Sequence, residues 1–118
     1  VGAELHQEDG CIGFVNNDYN QLMVISVTID LQGRYRITKI RYNQGNVYHG
    51  GTWNADIMES PFGSIPTRSG TRYKGIWTEQ TGDLVVSSVT ITFKKTRTIF
   101  ETDWLFIGEI EIYGVAAP

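Results

Sequence analysis

Only one cysteine, Cys11, occurs in the chain, so an intrachain disulfide is impossible and stability has to come from packing. No apolar run approaches the roughly 18 residues that a membrane-spanning segment needs. A basic surplus is missing too: 10 basic against 13 acidic side chains give a net charge of −3, which disfavours non-specific binding to DNA or to an anionic membrane. There is no Gly-x-Ser-x-Gly, no phosphate-binding glycine loop and no paired-cysteine motif, so the common nucleophilic, nucleotide and zinc chemistries have no footing. Internal repeats, low-complexity stretches and helix-period segments longer than a turn or two are also lacking. With neither an initiator methionine nor a signal peptide, the chain reads as a mature or excised piece of something larger.

What is present fits one domain over residues 1–118: hydrophobic residues make up 41% and charged ones 19%, which argues against disorder as the main state. Proline is low at 3, glycine high at 13, and aromatic residues reach 12%. Glycine-rich turns between short β-branched segments predict an all-β domain. Ile25, Val27, Ile29 and Leu31 alternate with polar neighbours, the period of a half-buried strand. Gln32-Gly33 predicts a tight turn, and Tyr35–Tyr42 a second strand. In that strand the apolar phase slips by one between Ile37 and Ile40, as a β-bulge would make it do.

Asn43 to Thr52 is polar and reads as a long loop. Trp53–Glu59 predicts a strand with Trp53, Ala55 and Ile57 on one face, closed by turn chemistry at Ser60-Pro61-Phe62-Gly63. Arg72–Thr78 is a weaker strand signal, in which Trp77 reads as buried packing. Val89, Ile91 and Phe93 form a clear strand. Lys95–Asp103 is a polar loop, and Leu105–Tyr113 a last strand with Phe106, Ile110 and Ile112 on one face and Glu109, Glu111 and Tyr113 on the other. Such a set of short alternating strands implies an antiparallel β-sandwich or barrel. Its predicted core is Ile29, Leu31, Ile37, Ile40, Val89, Ile91, Phe93, Ile110 and Ile112.

Catalytic readings are weak. Glu109 and Glu111 share a strand face about 7 Å apart, within the broad range of glycosidase carboxylate pairs. An exposed acidic pair of this kind is more often a solvated face or a cation site. Cys11 has no adjacent base, and His6 with Glu8 and Asp9 lies close to a chain end. The expectation is a non-enzyme.

Several segments in order resemble the discoidin, or coagulation-factor type-C, domains, which share the galactose-binding-like fold with many bacterial carbohydrate-binding modules. They are Ser26 to Gly33 (SVTIDLQG), Tyr35 to Ile40 (YRITKI), Asn54 to Gly63, and the closing Trp104 to Gly114 (WLFIGEIEIYG), with the Asp9-Gly10 turn upstream. The resemblance implies a jelly-roll β-sandwich that binds ligands in loops at one end, in an extracellular or cell-surface protein of several domains. It also implies a structural calcium near the start of the domain, for which Asp9 and Glu109 are the side-chain candidates because the Asp-Gly turn and last strand are neighbours in that fold. The family places a further strand before the Asp-Gly turn, and only eight residues precede Asp9 here.

In sugar-binding relatives two loops carry the site, and they correspond here to Asn43–Gly51 and Thr96–Trp104. A pyranose offers hydroxyls at its edge and C–H groups on its face, so it needs planar hydrogen-bonders around an aromatic ring. Asn43, Gln44, Asn46, Tyr48 and His49 suit the first role, and Phe100 or Trp104 the second. The arginine that such relatives use has no counterpart inside the first loop. The function expected is therefore non-catalytic binding of a glycan or polysaccharide. Alternatives are an adhesion or receptor-binding module, and a phospholipid-binding type-C domain. For the last, Phe100 beside Lys94, Lys95 and Arg97 is suitable, but the net charge is not.

Overall fold

The alternation of β-branched and polar residues is realised as strands throughout the computed structural model, which describes residues 3–8, 11–16, 23–43, 55–67, 77–95 and 103–118; for residues before 17 and for 103, 104 and 106 it describes backbone pairing alone. Eight strands follow in order: β1 (Ala3–Glu8), β2 (Cys11–Asn16), β3 (Met23–Asn43), β4 (Ile57–Ser60), β5 (Gly63–Pro66), β6 (Trp77–Lys95), β7 (Asp103–Ile107) and β8 (Glu109–Ala116). They form two antiparallel sheets, one of order β1-β2-β7 and one of order β5-β4-β6-β3-β8. Among the described residues there is no helix. The eight residues ahead of Asp9 are enough for a strand of their own, β1, with Glu8 paired to Cys11.

The centre of the larger sheet differs from the sequence expectation in one respect. Gln32-Gly33 does not reverse the chain: β3 runs on for 21 residues, and both its halves pair with the 19-residue β6 in the same antiparallel sense. Between the pairs Asp30–Ser88 and Tyr35–Val86, four residues of β3 face one of β6, so the turn chemistry is absorbed as a wide bulge. Gln32 takes a φ of 57°, and the Asp30 carboxylate accepts a hydrogen bond from its N–H at 2.8 Å, a local bond that stabilises this left-handed conformation. The second irregularity is where the phase slip predicted it. Ile37 pairs with Gly114 and Lys39 with Tyr113, leaving Thr38 as the extra residue against β8.

The buried core lies on one face of the five-stranded sheet. Ile37, Ile40, Tyr42, Met58, Val89, Ile91 and Phe93 are buried, and Leu105 and Ile107 of β7 join them from the smaller sheet. Tyr42 and Phe93 meet with ring centroids 4.6 Å apart and planes tilted by 51°. A side chain of this size contributes roughly 1.5–3 kcal/mol when fully buried. Of the predicted core, Ile29, Leu31, Ile110 and Ile112 are only half-buried, packed against the cluster's margin.

Two phases differ from expectation. On β4 the inward residue is Met58, opposite Phe93, whereas Ile57 pairs with Lys94 and is half-buried; Trp53 lies outside the described residues. The last segment is two strands rather than one. Gly108 separates β7, paired with β2, from β8, paired with β3, so the chain changes sheets there and the buried positions pass from Leu105 and Ile107 to Ile110 and Ile112.

The β4–β5 hairpin is fastened to β6 through Gln80, which is buried. Its carbonyl accepts from the Ser60 hydroxyl at 2.6 Å and its amide donates to the Gly63 carbonyl at 2.9 Å. The same Ser60 oxygen accepts from the Phe62 N–H at 3.0 Å, and the Phe62 ring covers Gly82 of β6. Burial of an amide is tolerated only when it is satisfied in this way.

The bulge at Thr38 presses β8 hard against β3. A Cβ at Gly114 would overlap the Arg36 carbonyl oxygen and lie 3.0 Å from the Ile37 Cα, both of them backbone atoms that cannot swing aside. Gly114→Ala is expected to lower stability by about 1–3 kcal/mol, read as a lower urea midpoint with an unchanged slope. An alanine variant as stable as the parent would show that the two strands are not in this register.

Candidate functional site

Past the Thr38 bulge, β3 turns Ile40 and Tyr42 to the core and Lys39, Arg41 and Asn43 to the outer face. Register then assembles a cluster across three strands. Arg41 faces Glu79 on β6 and Glu111 on β8; Asn43 faces Trp77 and Glu109; Lys39 faces Thr81 and Tyr113. Cross-strand neighbours on one face stand about 4.5–5.5 Å apart at Cβ, close enough for all these groups to meet.

Arg41 is the hub. Its guanidinium carbon sits 4.1 Å from the centroid of the Trp77 ring. One terminal nitrogen donates to Glu111 Oε1 at 3.0 Å and to the Tyr113 hydroxyl at 3.3 Å, and that hydroxyl donates to the same Glu111 oxygen at 2.6 Å. Arg41 Nε lies 2.7 Å from Glu79 Oε1, yet its N–H is not aimed at an acceptor, so the contact is an ion pair that leaves a buried donor without a hydrogen bond. The Tyr113 hydroxyl first, and then the charges of Glu111 and Glu79, hold the guanidinium above its ordinary pKa. Lys39 Nζ completes the group 4.6 Å from the centre of the exposed Tyr113 ring.

The arrangement offers an aromatic surface, a planar multidentate donor, two carboxylates and an amide on an open sheet face. That is the set a hydroxylated ring requires.

Of the binding residues read from sequence, Asn43 belongs to this cluster. Gln44, Asn46, Tyr48, His49 and Phe100 lie outside the described residues. Trp104 is described only by its backbone, opposite Val15 on β2. Of the calcium candidates, Asp9 is outside the described residues and Glu109 is exposed at the start of β8. Among the described residues no group of three or more His, Cys, Asp or Glu side chains gathers as a metal would need. Glu109, Glu111 and Tyr113 do share one face, as alternation predicted.

The correction concerns Trp77: it is half-buried under Arg41 on the outer face rather than packed in the core. Arg41 and Trp77 were legible only through pairing, because neither stands in a loop. Of the basic residues considered for a lipid surface, Lys94 is ion-paired to Glu59 and Lys95 is buried, while Arg97 lies outside the described residues. No helix among the described residues is long and apolar enough to cross a membrane.

No protein-family model and no curated protein sequence matches the chain. Among solved structures, a fragment (298–461) of a provisionally assigned chitobiase from Bacteroides thetaiotaomicron is similar, with a TM-score of 0.53 and 14% identity over 90% of this chain and 70% of its own. The likeness is one of fold. The resemblance to the discoidin family rests on the sequence segments alone.

Next along the outer face, Arg36 and Asp83 form a two-pronged ion pair, with Arg36 Nε donating to Asp83 Oδ1 at 2.6 Å and the second prong joining Nη2 to Oδ2. The hydrogen bond from Arg36, and then its charge, holds the Asp83 carboxyl below the ordinary aspartate value. Because the folded value is the lower one, the pair's contribution is complete above the ordinary aspartate range and disappears as pH falls through the depressed value. An NMR titration is expected to place the Asp83 midpoint below that of exposed aspartates, and Arg36→Gln to return it upward. A midpoint that is the same in both proteins would remove the pair.

Proposed function

We propose that this chain is a non-catalytic carbohydrate-binding domain, a jelly-roll β-sandwich that holds a glycan on the outer face of its larger sheet and directs an attached enzyme or surface protein to it. The observation that carries the reading is Arg41, fixed between Glu79, Glu111 and Tyr113 against the Trp77 ring, with the Asn43 amide beside it. The arginine that the loop lacked stands two residues ahead of it on β3. Residues 44–49, which continue directly from Asn43, bring Gln44, Asn46, Tyr48 and His49 into the same proposal.

Recognition follows from the chemistry of a sugar. C–H groups of a pyranose pack on an aromatic ring, while adjacent hydroxyls accept from the guanidinium and donate to the carboxylates. Catalysis is not part of the proposal, because Glu79 and Glu111 are both ion-paired to Arg41 and neither is free to act across a glycosidic bond. The likeness in fold to a chitobiase fragment supports a setting beside glycan-degrading domains; a place outside the cell is part of the same proposal.

A glycan array selects the ligand, and titration of variants locates the site. Trp77→Ala and Arg41→Ala are each expected to weaken binding roughly ten- to a hundredfold, the equivalent of about 1–3 kcal/mol, with an unchanged circular-dichroism spectrum. If both folded variants bind as tightly as the parent, the glycan is held elsewhere. A structural calcium on Asp9 and Glu109 belongs to the same reading. It is expected to show as a lower melting temperature in chelator, and an unchanged melting temperature together with a metal-free elemental analysis would remove it.

A further inference from the structure

The other half of the same outer face carries a different surface. Ahead of the wide bulge, outward-facing residues of β3 and β6 pair in successive rows: Ser26 with the half-buried Thr92, Thr28 with Thr90, and Asp30 with Ser88. In the first two rows the hydroxyl oxygens are hydrogen-bonded to each other at 2.9 Å. A hydroxyl has one donor and two acceptor sites, so a pair sharing one bond keeps one O–H and three lone pairs for a partner.

The β6 side of these rows lines a shallow groove of about 470 Å³, which continues along the same strand past Leu84 and Val86 and is flanked on its other side by Glu59, Ser60 and Pro61 of the β4–β5 hairpin. The charge at its rim, Glu59, is ion-paired with Lys94. With hydroxyls and hydrocarbon along one strand and its lining charge paired, the groove has no complement for an acidic polymer or a nucleic acid, and the Asp30 carboxylate opposite Ser88 repels both. It does suit a neutral polysaccharide, whose hydroxyl edge and C–H face meet the Ser88–Thr90–Thr92 row and the Leu84, Val86 and Pro61 side chains in turn.

Position matters as much as lining. Thr28 and Arg41 stand on the same strand and face the same way, separated by thirteen residues of β3, up to roughly 40 Å of chain at ~3.3 Å per residue. The molecule's longest dimension is 49 Å. A short oligosaccharide fills one surface; an extended chain reaches both and gains from the second contact by effective concentration.

We infer that the Ser88–Thr90–Thr92 groove is a second glycan-contacting surface, selective for extended neutral polysaccharide and additional to the Arg41 site, an inference that rests on the carbohydrate-binding reading. The test compares retention on insoluble chitin and cellulose with titration by soluble trimers of the same sugars. Thr90→Val/Thr92→Val keeps side-chain shape and strand preference. This double variant is expected to lose about five- to tenfold in retention on the polymer and to keep the parent's affinity for the trimer, while Trp77→Ala loses the trimer.

Should the double valine variant not fold, Ser88→Glu sets an unpaired charge on an exposed position of the same wall and is expected to act in the same direction. Equal retention of parent and groove variants on the polymer overturns the inference, and so does a groove variant that loses trimer and polymer alike. A parent that binds trimers but neither polymer overturns the groove and leaves the Arg41 site standing. A parent that binds neither trimer nor polymer removes both.

Discussion

The structure depends on β3 keeping one face on the core over its whole length while it is hydrogen-bonded on both sides. A strand paired to β6 and β8 has no freedom to rotate, so any change in the spacing of its apolar residues must be absorbed by the backbone. The change occurs between Ile37 and Ile40, and Thr38 absorbs it. Without the extra residue, the period of two would carry Lys39 and Arg41 inward and Ile40 and Tyr42 outward, exchanging two of the most completely buried apolar side chains for two charges. Burying an unpaired charge costs far more than the local irregularity of a bulge. The same residue therefore completes the core and creates the site.

Around that spine, the other elements are held by specific polar bonds rather than by length. β4 and β5 are each four residues long and make a hairpin too small to stand alone. Met58 anchors it against Phe93 from the core side, and Gln80 ties it through Ser60 and the Gly63 carbonyl. Thr67 closes the next step of chain, its N–H donating to the Asp56 carbonyl at 2.9 Å and its hydroxyl donating to the Ala55 carbonyl. At the opposite edge, Gly108 ends β7 and lets β8 begin in the other sheet, which is how Leu105 and Ile107 reach the core that β8 borders. Each link is local in sequence on one side and distant on the other, and the two sheets share a core through them.

Much of the larger sheet was legible from alternation, because period two reports burial directly. Ile37, Ile40, Val89, Ile91 and Phe93 are buried as that period predicts, and the slip before Ile40 is a bulge. Continuity was less legible. Gln32-Gly33 has the composition of a turn, but whether a chain reverses or bulges is decided by what pairs beside it, and β6 lies thirty residues and more downstream. For the same reason β6 was visible only in pieces, clearly at Val89–Phe93 and weakly at its Trp77–Thr78 start; its Leu84–Ser88 stretch crosses the bulges and loses a clear period. The site was half legible. Asn43 was visible as a polar residue opening a loop, whereas Arg41 and Trp77 come together solely because Asn43 pairs with one and follows the other.

The cluster's internal bonds bear on how it would meet a ligand. A long, flexible arginine on an open surface loses rotamer freedom on binding, a cost of up to about 1.5–2 kcal/mol. Arg41 has already given up that freedom, held by Glu79 on one side, Glu111 and Tyr113 on the other, and the Trp77 ring. Its side chain is 23% exposed, against 57% for Arg36 in the pair with Asp83. The two arginines thus have opposite characters on one sheet face. Arg36 is satisfied by a single carboxylate in water, where an ion pair contributes little. Arg41 is oriented by Glu79, Glu111, Tyr113 and the Trp77 ring together. A cation oriented in this way is preorganised for a polar ligand, and on this sheet it stands where the Thr38 bulge has turned β3 outward.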